Sequence, residues 1–163
     1  MMTIPCEFLF RLRDPVDWND LLYAYHRQII DITTLTAYVS RALGEVAFDN
    51  DAAIPDGLPE KPEQLKPFLD RAAGDVYPTD ERSKKWAMIL AAFVNEFEVG
   101  DKLTAIDDIY SSFDYPEELA GMVRYMPMLG PDLGSKEANE NRMLESLSDL
   151  SKSIVYPVKP QGT

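Results

Sequence analysis

The densest group of side chains capable of chemistry lies late in the chain, where tyrosine rings alternate with carboxylates. This acidic segment consists of Asp107, Asp108, Asp114, Tyr115, Glu117 and Glu118. Carboxylates can transfer protons, bind a metal ion or attract a cationic partner. Adjacent helical residues point about 100 degrees apart, so neither of the two carboxylate pairs in the segment converges by itself. The segment therefore favours partner binding or a solvated helix face, and we predict no catalytic residue and no metal ligand in it.

The other reactive residue types are scarce. His26 is the single histidine, so His-His metal spacings are excluded, and its place near a predicted helix end suits a cation at the negative end of the helix dipole. Cys6 lies among apolar neighbours, as an inert buried thiol does. Phosphate-binding glycine motifs are absent, and an EF-hand frame from Asp49 to Glu60 fails because Ala53 replaces the ligand at position 5 and Ile54 replaces the glycine at position 6. We therefore predict no enzyme activity and no cofactor.

The composition is that of a folded and strongly acidic protein. Of 163 residues, 28 are acidic and 16 are basic, which gives a formal net charge of −12. Such a charge repels nucleic acid and anionic membranes and speeds encounter with a basic partner, although it also serves solubility alone. A single cysteine fits a reducing compartment, and neither a signal peptide nor a membrane span is evident. We expect a cytoplasmic protein that binds neither nucleic acid nor membrane.

The first half of the chain predicts a helical hairpin followed by a loop. Asp14 is the expected cap of a helix over residues 15–29, and Thr33 or Thr34 is the expected cap of a second helix that terminates at Gly44. Residues 45–62 are rich in proline, aspartate and glycine, which is typical of an exposed loop. A short helix over residues 65–72 follows, although Pro67 confines or kinks it.

The second half predicts four more helices. The helix from Thr79 to Glu98 is apolar nearly all round, so we expect it to be the central pillar of the fold. The next helix runs to Phe113 and leaves Asp107 and Asp108 on its outer side. Asp114 is the expected cap of a further helix, with Tyr115 at the corner between the two. Ser135 caps the last one.

These elements predict an all-α fold. We expect six or seven helices in a bundle or an orthogonal array, forming a single domain over residues 1–156 with a flexible tail at 157–163. Residues 3–12 fit either a short strand or an irregular segment packed on the core.

Three segments resemble a known family: DWNDLLYAY at 17–25, KKWAMILAAFVNEFE at 84–98 and, most specifically, IYSSFDYPEELAGMVRYMP at 109–127. The family is a small uncharacterised bacterial one, counted among the predicted immunity proteins of polymorphic toxin systems. The resemblance implies a cytoplasmic protein that binds and neutralises a toxin domain, often a nuclease or another enzyme. It implies no catalytic residues.

The resemblance and the charge pattern together predict where a toxin binds. Residues 96–118 contain eight acidic residues and one basic residue, and they include the acidic segment. We expect this segment to face a basic toxin domain, with the loop from Asp49 to Glu60 as a second candidate. Two alternatives remain open from the sequence. One is a small metal-dependent enzyme that uses clustered carboxylates, and the other is an acidic structural adaptor.

Overall fold

The computed structural model describes residues 3–44, 80–124, 126 and 130–157. Within these ranges the regular elements are helices, with no strand beyond a single isolated bridge, and the all-α prediction is confirmed. The elements are α1 (Cys6–Leu9), α2 (Trp18–His26), α3 (Ile32–Gly44), α4 (Asp80–Phe97), α5 (Lys102–Ser112), a 3-10 helix (Glu117–Met122) and α6 (Lys136–Ile154). The predicted loop at 45–62, the helix at 65–72, the cap at Thr79 and most of the predicted tail lie outside the described residues.

The chain divides into two compact units by its internal contacts. The first comprises Met1–Phe10 and Asp14–Thr79, and the second comprises Arg11–Arg13 and Asp80–Thr163. Each unit is described by itself. The single domain expected over residues 1–156 stays a prediction.

In the first unit, α2 is shorter at both ends than the helix predicted over residues 15–29. Asp17 and Asp20 form a capping box in which each backbone N–H donates to the other's carboxylate, at 3.1 and 2.8 Å. The predicted cap at Asp14 is therefore wrong by three residues. The helix stops at His26 because Gln28 adopts φ 61°, and the N–H of Ile29 donates back to the carbonyl of Ala24 at 2.8 Å.

The remainder of the first unit corrects two further expectations. The N–H of Thr34 donates to the side chain of Asp31 at 2.8 Å, so Asp31 caps α3 and the predicted caps at Thr33 or Thr34 are wrong. α3 extends to Gly44, where the described range ends. The segment at 3–12 contains the short helix α1 between irregular residues that pack on the core, so the expected strand does not form, and Cys6 is buried there as predicted.

In the second unit, α4 is the core element. Its residues from Trp86 to Val94 are all buried, which confirms the prediction of a helix covered on every side. It packs against both α5 and α6. Phe97, predicted on the same buried face, is 48% exposed because α4 ends there, and its ring lies 4.8 Å from that of Phe93. Among the described helices, none is long and apolar enough to cross a membrane.

Residues 11–13 belong to the second unit because they pair with the end of α6. The N–H of Arg13 donates to the carbonyl of Ile154 at 2.9 Å, and the N–H of Tyr156 donates to the carbonyl of Arg11 at 2.8 Å. Arg13 Nε also donates to the carbonyl of Lys152 at 2.8 Å, and its guanidinium stacks on the ring of Tyr156 at 4.3 Å. Arg13 thus satisfies carbonyls that the last turn of a helix leaves open. At the other end, the predicted cap Ser135 is confirmed, since its hydroxyl accepts the N–H of Ala138 at 3.1 Å.

Candidate partner-binding surface

The acidic segment lies at a sharp corner between α5 and the 3-10 helix. Phe113 ends α5, and Asp114 and Tyr115 follow with φ of 61° and 56°. The N–H of Tyr115 donates to the carbonyl of Tyr110 at 2.9 Å. This bond and the left-handed Asp114 form a Schellman-type helix end, in which aspartate occupies the position that glycine usually takes. The predicted role of Asp114 as cap of the next helix is therefore wrong.

The element after the corner is also different from the predicted α-helix. It is a six-residue 3-10 helix whose N-cap position is Pro116, without a side-chain cap hydrogen bond. Leu119, Met122 and Val123 are buried, so they fix this short helix to the core of the second unit. A tight helix of this kind turns the chain within a few residues.

Tyr115 is the exposed aromatic residue of the corner. Its side chain is 59% exposed, whereas Tyr110 is only 5% exposed. The two rings meet edge to face, with centroids 5.2 Å apart and an interplanar angle of 75°. Such a contact restricts the ring of Tyr115 while leaving most of its surface in water. The corner therefore presents a held aromatic ring to solvent.

Three carboxylates of the acidic segment, which stand before and after Tyr115 in the chain, are exposed. Asp108, Asp114 and Glu117 make no ion pair or side-chain hydrogen bond within the part of the chain that the structure describes, although the charge of Glu117 contributes to the raised pKa of Lys84. We call these three residues together with Tyr115 the corner surface. Asp108 lies just before the last turn of α5, and Asp114 lies just beyond the end of the helix, where the helix dipole disfavours negative charge. The corner surface thus carries charge at a position where it opposes helix stability.

Glu118 differs from these carboxylates because it is paired. The ammonium of Lys84, in the first turns of α4, contacts the Glu118 carboxylate directly. The hydrogen bond from Lys84 lowers the pKa of Glu118, and the same bond raises the pKa of Lys84. The charge of Glu118 is therefore compensated within the chain, although its position beside Glu117 agrees with the predicted surface.

Asp107 differs from the exposed carboxylates because its side chain turns inward. It is half-buried, and its Oδ1 is shielded from water with no hydrogen-bond partner among the described residues. Burial raises the pKa of Asp107, while the backbone amide and the charge of Arg124 act in the opposite direction. The predicted outward placement therefore holds for Asp108 and is wrong for Asp107. The reason is that the chain after the 3-10 helix returns alongside this face of α5.

Arg124 is the one residue of this region that sequence reasoning missed. Its Nη2 donates to both carboxylate oxygens of Asp101 at 2.5 and 2.6 Å, and its Nη1 donates to the hydroxyl of Thr104 at 3.2 Å. Its Nε lies 2.8 Å from Oε1 of Glu140 on α6. We call Arg124 with Asp101, Thr104 and Glu140 the Arg124 clamp. No local pattern reveals it, since Arg124 and Asp101 are separated by 23 residues.

The clamp lies in an open groove of about 1030 Å³. One wall consists of residues that recur along one side of α6, namely Glu137, Glu140, Asn141, Leu144, Glu145 and Ser148. Lys102 and Lys136 also line the groove, so its charges are mixed. The bond from Arg124 lowers the pKa of Asp101 to about 2, which keeps this carboxylate ionised. A groove with neutralised acids is a weaker attractor for a cation than the corner surface.

The remaining sequence candidates belong to other segments of the chain. His26 is exposed at the end of α2, with its ring edge-on to Tyr25 at 5.5 Å. No group of three or more histidine, cysteine, aspartate or glutamate side chains is arranged to hold a metal ion in the described part of the chain. The second candidate loop, Asp49 to Glu60, lies outside the described residues.

Comparison with known proteins identifies a family. Residues 8–150 match the family described as "Uncharacterized protein conserved in bacteria (DUF2247)", and the chain belongs to this family. Neither the search of curated proteins nor the search of solved structures gave a match.

Proposed function

We propose that this member of the bacterial family is an immunity protein, which binds a basic toxin domain in the cytoplasm of the producing cell and neutralises it. The observation that carries the proposal is the corner surface, where Asp108, Asp114 and Glu117 are exposed without an ion pair among the described residues and are close in sequence to the exposed Tyr115. The resemblance to predicted immunity proteins supports a toxin domain as the partner. The proposal assigns no reaction to the chain itself.

The chemistry of the corner surface suits a cationic protein. Tyrosine provides a large contact area with few rotatable bonds, and cations pack favourably on its face. The carboxylates beside it attract lysine and arginine side chains and speed their encounter, helped by the net charge of −12. A binding protein needs such a complementary surface on a stable scaffold, and it needs no reactive group.

The experiment begins with the immobilised full chain and a lysate of the bacterium that encodes it. Proteins eluted by raised salt are identified, and basic candidates are expressed in a test bacterium with and without the chain. We expect one of them to arrest growth and the chain to restore it. The variant Asp108→Lys, Asp114→Lys, Glu117→Lys should fail to restore growth because it places like charges against the partner.

A matched control separates the corner surface from acidity in general. Glu137, Glu145 and Asp149 are exposed carboxylates of α6, and their joint replacement by lysine changes the net charge by the same amount. This control should still restore growth. The proposal fails if no captured protein is toxic, if the wild-type chain does not relieve toxicity, or if the two triple variants behave alike.

A further inference from the structure

The corner surface belongs to a short excursion of the chain that is fastened at two ends. The excursion leaves α5 at Phe113 and returns beside α5 at Arg124. Its first end is held by the backbone bond from Tyr115 to Tyr110 at 2.9 Å. Between the ends, the N–H groups of Leu119 and Val123 donate within the 3-10 helix at 3.0 and 3.3 Å. Bonds within so short a helix give little stability alone, so the excursion depends on its buried side chains and on how its two ends are held.

The Arg124 clamp fixes the second end to two helices at once. Asp101 and Thr104 lie in the first turns of α5, and Glu140 lies on α6. Asp101 also caps α5, because its Oδ1 accepts the N–H groups of Leu103 and Thr104 at 3.1 and 3.3 Å. The guanidinium therefore meets a carboxylate that is already oriented. The rigid guanidinium directs Nη2 to Asp101, Nη1 to Thr104 and Nε to Glu140, a set of fixed directions that a lysine ammonium does not provide.

We infer that Arg124 is a positioning residue, which holds the corner surface in its binding conformation before any partner arrives. This inference rests on the proposed function for the role of the surface. Arg124 itself lies in the groove beside α6 and needs no contact with the partner. A surface that is already ordered loses less conformational entropy on binding, so its complex is tighter and dissociates more slowly. The residue thus acts on affinity through the backbone of the excursion.

The test uses hydrogen exchange of the free full-length protein and binding of a hexa-arginine peptide, followed at the Tyr115 amide by NMR at one ionic strength. In Arg124→Gln, we expect the protection of the Leu119 and Val123 amides to fall about tenfold, while that of α4 stays unchanged. The peptide dissociation constant should rise about threefold or more. Arg124→Lys keeps the charge, so both the fall in amide protection and the rise in the peptide dissociation constant should be smaller.

Arg13→Gln is the matched control, since it removes one arginine of the same unit whose bonds lie at the end of α6. It should leave the Leu119 and Val123 amides unchanged. Unchanged protection in Arg124→Gln would overturn the inference, and so would lower protection with unchanged peptide affinity. If the peptide leaves Tyr115 unperturbed even in the wild type while protection falls in Arg124→Gln, the clamp is supported and the proposed binding surface is contradicted.

Discussion

At the scale of single residues, the acidic segment contains three kinds of carboxylate. Asp108, Asp114 and Glu117 are exposed and make no ion pair among the described residues, Glu118 is paired with Lys84, and Asp107 faces inward. The sequence alone does not distinguish these three environments among the five carboxylates. Their environments differ because the corner exposes one group, an ion pair holds the second, and the returning chain covers the third. The binding role of each of the six stays a prediction.

The charge of Asp114 should cost stability while it serves binding. Asp114→Asn keeps a residue that tolerates φ of 61° and removes a negative charge beside the negative end of α5. We expect the free energy of unfolding to rise by about 0.5 kcal/mol in urea titrations. Glu137 provides the opposite control, since it lies in the first turn of α6, and Glu137→Gln should lower stability. A loss of stability in Asp114→Asn would contradict the interpretation.

Lys84 should weaken the acidic surface by neutralising Glu118. Lys84→Gln removes the contact and leaves the Glu118 carboxylate free, which adds negative charge next to Glu117. We expect faster association with a basic toxin domain at low salt and a smaller difference at high salt, measured by stopped-flow mixing. Lys85→Gln makes the same change of charge at the next residue and should have the smaller effect. Equal rates in the two variants would contradict this role of the ion pair.

At the scale of elements, the sequence predicted those helices whose signals are local. The length of α4 follows from its apolar residues, and the start of α6 follows from Ser135. The end of α2 was missed because Gln28 adopts a positive φ without being glycine, and the role of Asp114 was missed for the same reason. The Arg124 clamp was missed because its partners meet only after the chain has folded. Local chemistry is therefore readable in this sequence, whereas contacts between distant residues are not.

The start of α2 offers a direct test of the capping box. Asp17→Ala removes a carboxylate that accepts the N–H of Asp20 at 2.8 Å, and we expect it to lower the free energy of unfolding by about 1 kcal/mol. Asp14→Ala changes the residue that the sequence alone suggested as the cap, and it leaves the box intact. Urea unfolding of the two variants decides between the starts. A larger loss of unfolding free energy in Asp14→Ala than in Asp17→Ala would contradict the observed start of α2.

At the scale of the whole molecule, acidity should both attract partners and shape the response to pH. The pKa of Asp101 is lowered from 3.8 to about 2 by its bond from Arg124. A lowered pKa means that the native state binds fewer protons than the unfolded state, so the bond stabilises the protein above the unfolded value. That contribution disappears as the pH falls through the folded value.

The comparison of wild type with Arg124→Gln should therefore depend on pH. Above the unfolded pKa of 3.8 we expect a constant difference in stability, and the difference should shrink as the pH falls toward about 2. Urea titrations across this pH range measure the difference in stability. Arg13→Gln is the control, because it removes a hydrogen bond to a backbone carbonyl, which does not titrate. A difference that stays constant down to the lowest pH would contradict the role of Asp101.

The proposed function is tested most directly by the salt dependence of binding to the captured toxin domain. We predict that the triple lysine variant at Asp108, Asp114 and Glu117 raises Kd by at least about a hundredfold at low salt, and that the difference narrows as salt rises. The triple lysine variant at Glu137, Glu145 and Asp149 should remain close to the wild type. Equal losses in both variants, or an unchanged Kd in the first, would contradict binding at the corner surface.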